Sequence, residues 1–164
     1  MKTVIFRIIT MIFLVLTFIS IFNFSNQDGQ NSSGLSRKVA RKIVDVFPYI
    51  KNLKEEAKNK IVEKSQPIIR KVAHLSIYTL VGIFIMSFIS TYKIHLKYKF
   101  LVSILVGLIY AGSDEIHQSF IPGRTASIID VGIDTSGVLL GIILVLIIIS
   151  AYKALTEKKV IDAK

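Results

Sequence analysis

Four stretches of this chain run for roughly 17 residues or more with almost no charge, the length a helix needs to cross a hydrocarbon layer. They are Ile8–Phe24, Val72–Ser90, Phe100–Ala111 extended to about Gln118, and Ile128–Tyr152. A helix in a water-soluble protein carries an apolar stripe on one side; these blocks are apolar all round, as lipid-facing helices are. The first and last are the clearest. The third reaches full length only if its acidic end is tolerated at the interface, and the fourth carries Asp130 and Asp134. The expectation is an all-α polytopic membrane protein with about four transmembrane helices, leaving too little chain for a separate soluble domain.

The polar segments divide the chain further. Residues 1–24 form the first span, which we read as an uncleaved helix because no small-x-small cleavage site stands after the apolar run. Residues 25–67 form an extramembrane loop that opens with the Gly- and Ser-rich "SNQDGQNSSG". Its apolar residues Leu35, Val39, Ile43, Val46, Ile50, Leu53, Ala57 and Ile61 fall at steps of three and four. Arg37, Lys38, Arg41, Lys42, Lys51, Lys54, Lys58 and Lys60 lie opposite. That pattern describes basic amphipathic helices, divided at Pro48, that lie on a membrane surface or pack on the rest of the protein. Residues 68–152 hold the other three spans, and 153–164 form a charged C-terminal tail.

Composition closes several routes. With no cysteine, the chain has no disulfide framework, thiolate metal site or Cys nucleophile. A net charge of +10 would suggest nucleic acid in a soluble protein. Here the basic residues flank apolar spans, so anionic lipid head groups are the expected partner and nucleic acid is not.

Parity places the start of the second span, the end of the third and the start of the fourth at one membrane face. Those three places hold nearly all the unusual polar residues. "RKVAHLSIY" puts Lys71, His74 and Tyr78 on one helical face. "YAGSDEIHQSF" brings Asp114, Glu115 and Gln118 to the end of the third span, with His117 among them. "SIIDVGIDTSGVLLG" sets Ser127 before Asp130, Asp134, Gly137 and Gly141, and the glycines would let another helix approach the carboxylates. A charge inside a span costs about 2.5–3.5 kcal/mol even on the lenient insertion scale. Four carboxylates here therefore call for an explanation.

Three readings stand. A structural clasp would have Lys71, Arg124 and the histidines neutralise the acids while Ser127 caps the fourth span. A catalytic site would use crowded carboxylates as acid and base. A head-group pocket would set Lys71 and Arg124 against anionic groups and the carboxylates against amines or hydroxyls. Two histidines and several acids can hold a divalent ion, but no spacing is specific enough to assign a metal, and no cofactor is implied.

These residues resemble the VanZ-like family of bacterial membrane proteins. The family pattern is met by Lys71, His74 and Tyr78; by Asp114, Glu115, Gln118, Phe120, Pro122, Gly123 and Arg124; and by Ser127, Asp130, Gly137 and Gly141. The match runs over roughly residues 70 to 145. Asp134 departs from it, standing where the family usually has Asn. The resemblance implies several transmembrane helices and, by analogy with the founding member, resistance to the lipid-bearing glycopeptide teicoplanin. The partner would then be a cell-wall precursor or the lipoglycopeptide itself. The alternatives are a membrane enzyme acting on a lipid or precursor head group and the structural clasp.

Lys2 and Arg7 favour a cytoplasmic N-terminus, which by even parity puts the C-terminus inside and the polar cluster outside. The overall count runs against the rule, with nine Lys and Arg on the inner side and twelve on the outer. The expectation nonetheless follows the first helix, since the loop charges suit a surface-bound amphipathic segment.

Overall fold

The structure is a computed structural model and describes residues 1–162. It contains α1 (Lys2–Ser25), α2 (Gly29–Val46), the single turn α3 (Pro48–Lys51), α4 (Glu55–Ser90), α5 (Leu96–Ser119) and α6 (Ile128–Asp162), with no strand among the described residues. Helices α1, α4, α5 and α6 are each long and apolar enough to cross a membrane. The protein is an all-α, multi-pass membrane protein.

The closest packing in the bundle is that of α4 against α6, and glycines produce it. A Cβ at Gly141 would lie 2.1 Å from the Thr79 carbonyl oxygen, and one at Gly137 would lie 2.5 Å from that of Leu75. Gly82 answers from α4: its Cβ would meet the Val138 carbonyl oxygen at 2.1 Å. The two backbones touch, as small-residue interfaces in membranes allow. The approaching helix that the sequence required for Gly137 and Gly141 is thus α4, the one that carries His74 and Tyr78. Val138 fills the notch at Gly107 and links α5 to the pair.

Two anchors fix the ends. At one, Arg7 of α1 donates from Nε to Thr91 Oγ1 at 2.7 Å and from Nη2 to the Thr91 carbonyl at 3.0 Å. Its guanidinium also lies 3.9 Å from the centre of the Tyr92 ring. A cation at the C-terminus of α4 meets the negative end of that helix. At the other end, the tight turn after α5 reaches the start of α2: Gly29 N–H donates to the Pro122 carbonyl at 3.1 Å. Gly123 adopts φ +74°, a conformation open to glycine, and a Cβ at Gly29 would sit 2.3 Å from its carbonyl oxygen.

The segment after α1 differs in detail from the sequence reading. Pro48 does end one helix and begin another, but that second piece is a single turn. The remainder, from Glu55, is continuous with the second span. Helix α2 folds back on this extension, burying Ala40 and Val44 against Val62. Arg41 of α2 pairs with Glu55 and donates to Asn59 at 3.0 Å. The buried face, Ser36–Ala40–Val44, is one residue, or about 100°, away from the expected stripe. Small side chains let α2 approach α4 closely, while Leu35, Val39, Ile43 and Val46 stay largely exposed. At the far end, α6 keeps its helical ladder through Asp162, into the charged tail.

Candidate functional site

The polar cluster lies where the middle of α4, the C-terminal end of α5 and the N-terminal end of α6 meet. These are the three places that parity assigned to one face. α1 joins them through its last turn.

The core of the cluster is a relay of hydrogen bonds. Tyr78, wholly buried, donates its hydroxyl to Asp114 Oδ2 at 3.2 Å. Gln118, one turn along α5, donates from Nε2 to the same oxygen at 2.9 Å and to Ser25 Oγ at 3.3 Å. Its own Oε1 accepts from Arg124 Nη1 at 2.9 Å, and Arg124 Nη2 donates to the Phe24 carbonyl at 3.0 Å. Arg124 thereby ties the turn after α5 to the end of α1. Burial, with the positive charge of Arg70 nearby, holds its affinity for the proton below the usual arginine range. A guanidinium remains charged even so.

The second half of the cluster joins α4 to α6. Asp134, 1% exposed, has Oδ1 3.3 Å and Oδ2 3.5 Å from His74 Nδ1. Lys71 reaches Asp130 at 3.1 Å near the surface. Glu115 turns the other way and accepts the backbone N–H of Ser127 at 2.5 Å. The positive end of α6 is therefore met by a carboxylate from α5. That contact stands where the sequence suggested a cap by Ser127 itself.

The remaining sequence-selected residues are placed plainly. Pro122 and Gly123 shape the turn against α2, and Gly137 and Gly141 form the α4 contact. Phe120 is 78% exposed. His117 stacks on Phe22 of α1 with ring centroids 4.8 Å apart, outside the group of acids.

The neutralising clasp is only partly built. Lys71 serves the half-exposed Asp130, while Arg124 ends on an amide and a carbonyl. Among the described residues, neither Arg70 nor Arg124 has a carboxylate within ion-pair distance. Both line a cavity of about 260 Å³ together with Lys71, His74, Asp130 and Asp134. A second, more apolar groove of about 210 Å³ adjoins it, walled by Ile21, Leu35, Val39, Ile69 and Ile77 and sharing Arg70 and His74 with the first.

Sequence reasoning passed over three contributors. Arg70 stood in the quoted "RKVAHLSIY" beside Lys71, and its charge was the available signal. Ser25 and the Phe24 carbonyl belong to α1, which carries no charge near that end; a backbone acceptor leaves no mark in the sequence.

Fold and site together define a helical membrane protein with a buried His–Tyr–carboxylate cluster at one end of its bundle. The chain belongs to the VanZ/LLP1 family, whose model matches residues 10–149. No curated protein and no solved structure shows significant similarity to it.

Proposed function

We propose that this protein protects the cell envelope against teicoplanin-type glycopeptides by engaging a lipid-borne anionic head group at the outer membrane face. The observation that carries this reading is the pairing of the two cavities. Arg70, Lys71 and Arg124 line the polar one, and two of these three cations lack a carboxylate partner. Burial and, after it, the charge of Arg70 weaken proton binding at Arg124, and an anion in the cavity that both arginines line would favour its charged form. The adjoining groove offers aliphatic side chains to a hydrocarbon chain. A phosphate head with an attached tail fits that sequence of surfaces, and Asp130 and Asp134 add acceptors for hydroxyl or amine groups. Lipid-linked wall precursors and lipid-bearing glycopeptides both have this chemistry.

An outward-facing cluster, with both termini cytoplasmic, puts the cavity where such ligands are found. Enzymatic modification of the head group is the second reading, favoured by two buried carboxylates beside an imidazole, a set suited to proton transfer.

Expression in a susceptible Gram-positive host tests the reading. Teicoplanin tolerance should rise with the wild-type protein and fall to the host's own level with Arg70→Ala plus Arg124→Ala at equal protein abundance. Tolerance unchanged by that pair would refute the head-group role. A changed lipid or precursor profile on overexpression would select the enzymatic form.

A further inference from the structure

We infer that His74, Asp114 and Asp134 form a binding site for one divalent transition-metal ion, open on one side to the polar cavity. One donor atom from each of the three lies within 4.8 Å of the others. The residues come from α4, α5 and α6, so the grouping is made by the bundle and not by a local turn. The glycine contacts of α4 with α6 hold two of the three helices in register.

Charge makes the first argument. Asp114 and Asp134 are 6% and 1% exposed, and among the described residues no Lys or Arg lies within ion-pair distance of either. Lys71 is spent on Asp130, and Arg124 on Gln118 and Phe24. Two buried carboxylates beside one imidazole leave an imbalance of charge that is costly at this degree of burial. A divalent cation removes it.

Bonding makes the second. Asp134 Oδ1 is fully buried and accepts no hydrogen bond, with His74 Nδ1 at 3.3 Å. Buried polar atoms of this kind call for an explanation, and an ion is one. Asp114 is oriented instead: Tyr78 and Gln118 both donate to its Oδ2. Hydrogen bonds to a ligating carboxylate are the outer support that metal sites use to fix their ligands.

Access and donor type complete the description. His74 and Asp134 line the polar cavity, so a further coordination position faces Arg70 and Arg124. Three protein ligands with an open position is the arrangement of zinc sites that bind water or substrate. One imidazole with two carboxylates suits Zn²⁺, Co²⁺ or Mn²⁺; the nitrogen donor argues against Mg²⁺ and Ca²⁺, and the missing thiolate against Cu⁺. This site stands on the cluster geometry whether or not the cavity receives a lipid head group.

The test uses full-length, tag-free protein in detergent, stripped with chelator and titrated with Zn²⁺ by calorimetry. Co²⁺, read by its visible d–d absorption, is the second probe. One saturable ion per chain is expected. Asp134→Asn and His74→Gln should each weaken binding about 100-fold or more, and Tyr78→Phe about 10-fold, as outer-shell changes do. His117→Gln and His95→Gln should bind as the wild type does. If Asp134→Asn fails to fold, His74→Gln, at a partly exposed position, carries the comparison. A wild-type protein that binds no Zn²⁺, or binding indifferent to His74→Gln, overturns the proposal.

Discussion

Tyr78 of α4 and Asp114 of α5 are joined by a hydrogen bond of 3.2 Å in a place that water does not reach. The bond ties α4 to α5 at the cluster end, as Lys99 does at the other end by donating to the Ser90 carbonyl at 3.1 Å, and it fixes the carboxylate on which Gln118 also depends. Tyr78→Phe removes the donor while keeping the ring. Asp114 retains Gln118, so the cost is that of one buried charge-assisted bond, about 1–2 kcal/mol. Reversible unfolding in mixed micelles should show a loss of that size with helix content unchanged. A variant as stable as the wild type would mean that the hydroxyl is already satisfied elsewhere.

The glycines give a sharper test, because they differ in what surrounds them. Gly141→Ala places a methyl group 2.1 Å from a backbone oxygen that no rotamer change can move. Helices α4 and α6 must separate, at about 1–3 kcal/mol by the usual cost of overpacking, and the acid cluster loosens with them. Gly112→Ala and Gly132→Ala meet nothing within 4 Å and should be neutral or slightly stabilising through helix propensity. The thermal aggregation midpoint of Gly141→Ala should therefore fall below the wild type, and those of the other two at or slightly above it. Equal midpoints would show that the bundle gives way easily at Gly141.

This contrast also shows where the sequence was legible. Gly137 and Gly141 share a helical face with Asp130 and Asp134, and that register alone indicated a close neighbour. Parity alone brought the three polar helix ends together. What it could not supply was the choice of partner within the cluster. Lys71 and Arg124 were candidates for neutralising the acids, yet Lys71 selects the shallow Asp130 and Arg124 selects neutral acceptors. A long side chain's partner depends on depth and on backbone carbonyls, and neither is written in residue spacing. The α2 face escaped as well. The large apolar residues were read as facing a membrane surface or the rest of the protein, whereas the face that packs on α4 carries Ser36, Ala40 and Val44, and Ile43 stays exposed.

Arg124 offers a separation of charge from shape. Its fork bridges Gln118 Oε1 and the Phe24 carbonyl, two acceptors on different helices. Lysine keeps the charge but presents no planar pair of donors. Arg124→Lys should therefore lose most of the teicoplanin tolerance that Arg124→Ala loses, with protein abundance as the control. Full tolerance in Arg124→Lys would make the charge alone sufficient and the bridge incidental.

The opposite anchor should behave otherwise. Arg7 makes two hydrogen bonds to Thr91 and covers the Tyr92 ring, at the end of the bundle away from the cluster. Arg7→Ala should cost about 1–2 kcal/mol of stability from the lost bonds and the lost cation at the end of α4. Once expression is matched, tolerance and Zn²⁺ binding should remain at wild-type values. Loss of either function with the fold intact would mean that the two ends are coupled through α1 or α4.

Orientation underlies every functional reading, and the absence of cysteine makes it directly measurable. Ser119 and Ala126 are exposed at the cluster end, and Lys93 is exposed at the other. Thr91 is a poor reporter because Arg7 is bonded to it. Single cysteines at Ser119, Ala126 and Lys93 can be challenged in intact cells with a membrane-impermeant thiol reagent. Labelling at Ser119 and Ala126 but not at Lys93 is the outcome expected from Lys2 and Arg7 in the first two turns of α1. It puts Arg70, Arg124 and the acid cluster within reach of glycopeptide and wall precursor. Labelling at Lys93 alone would turn the cavity toward the cytoplasm. Interference at the cell surface would then be impossible, and the same cations, groove and carboxylates would have to act on a lipid head group of the inner leaflet.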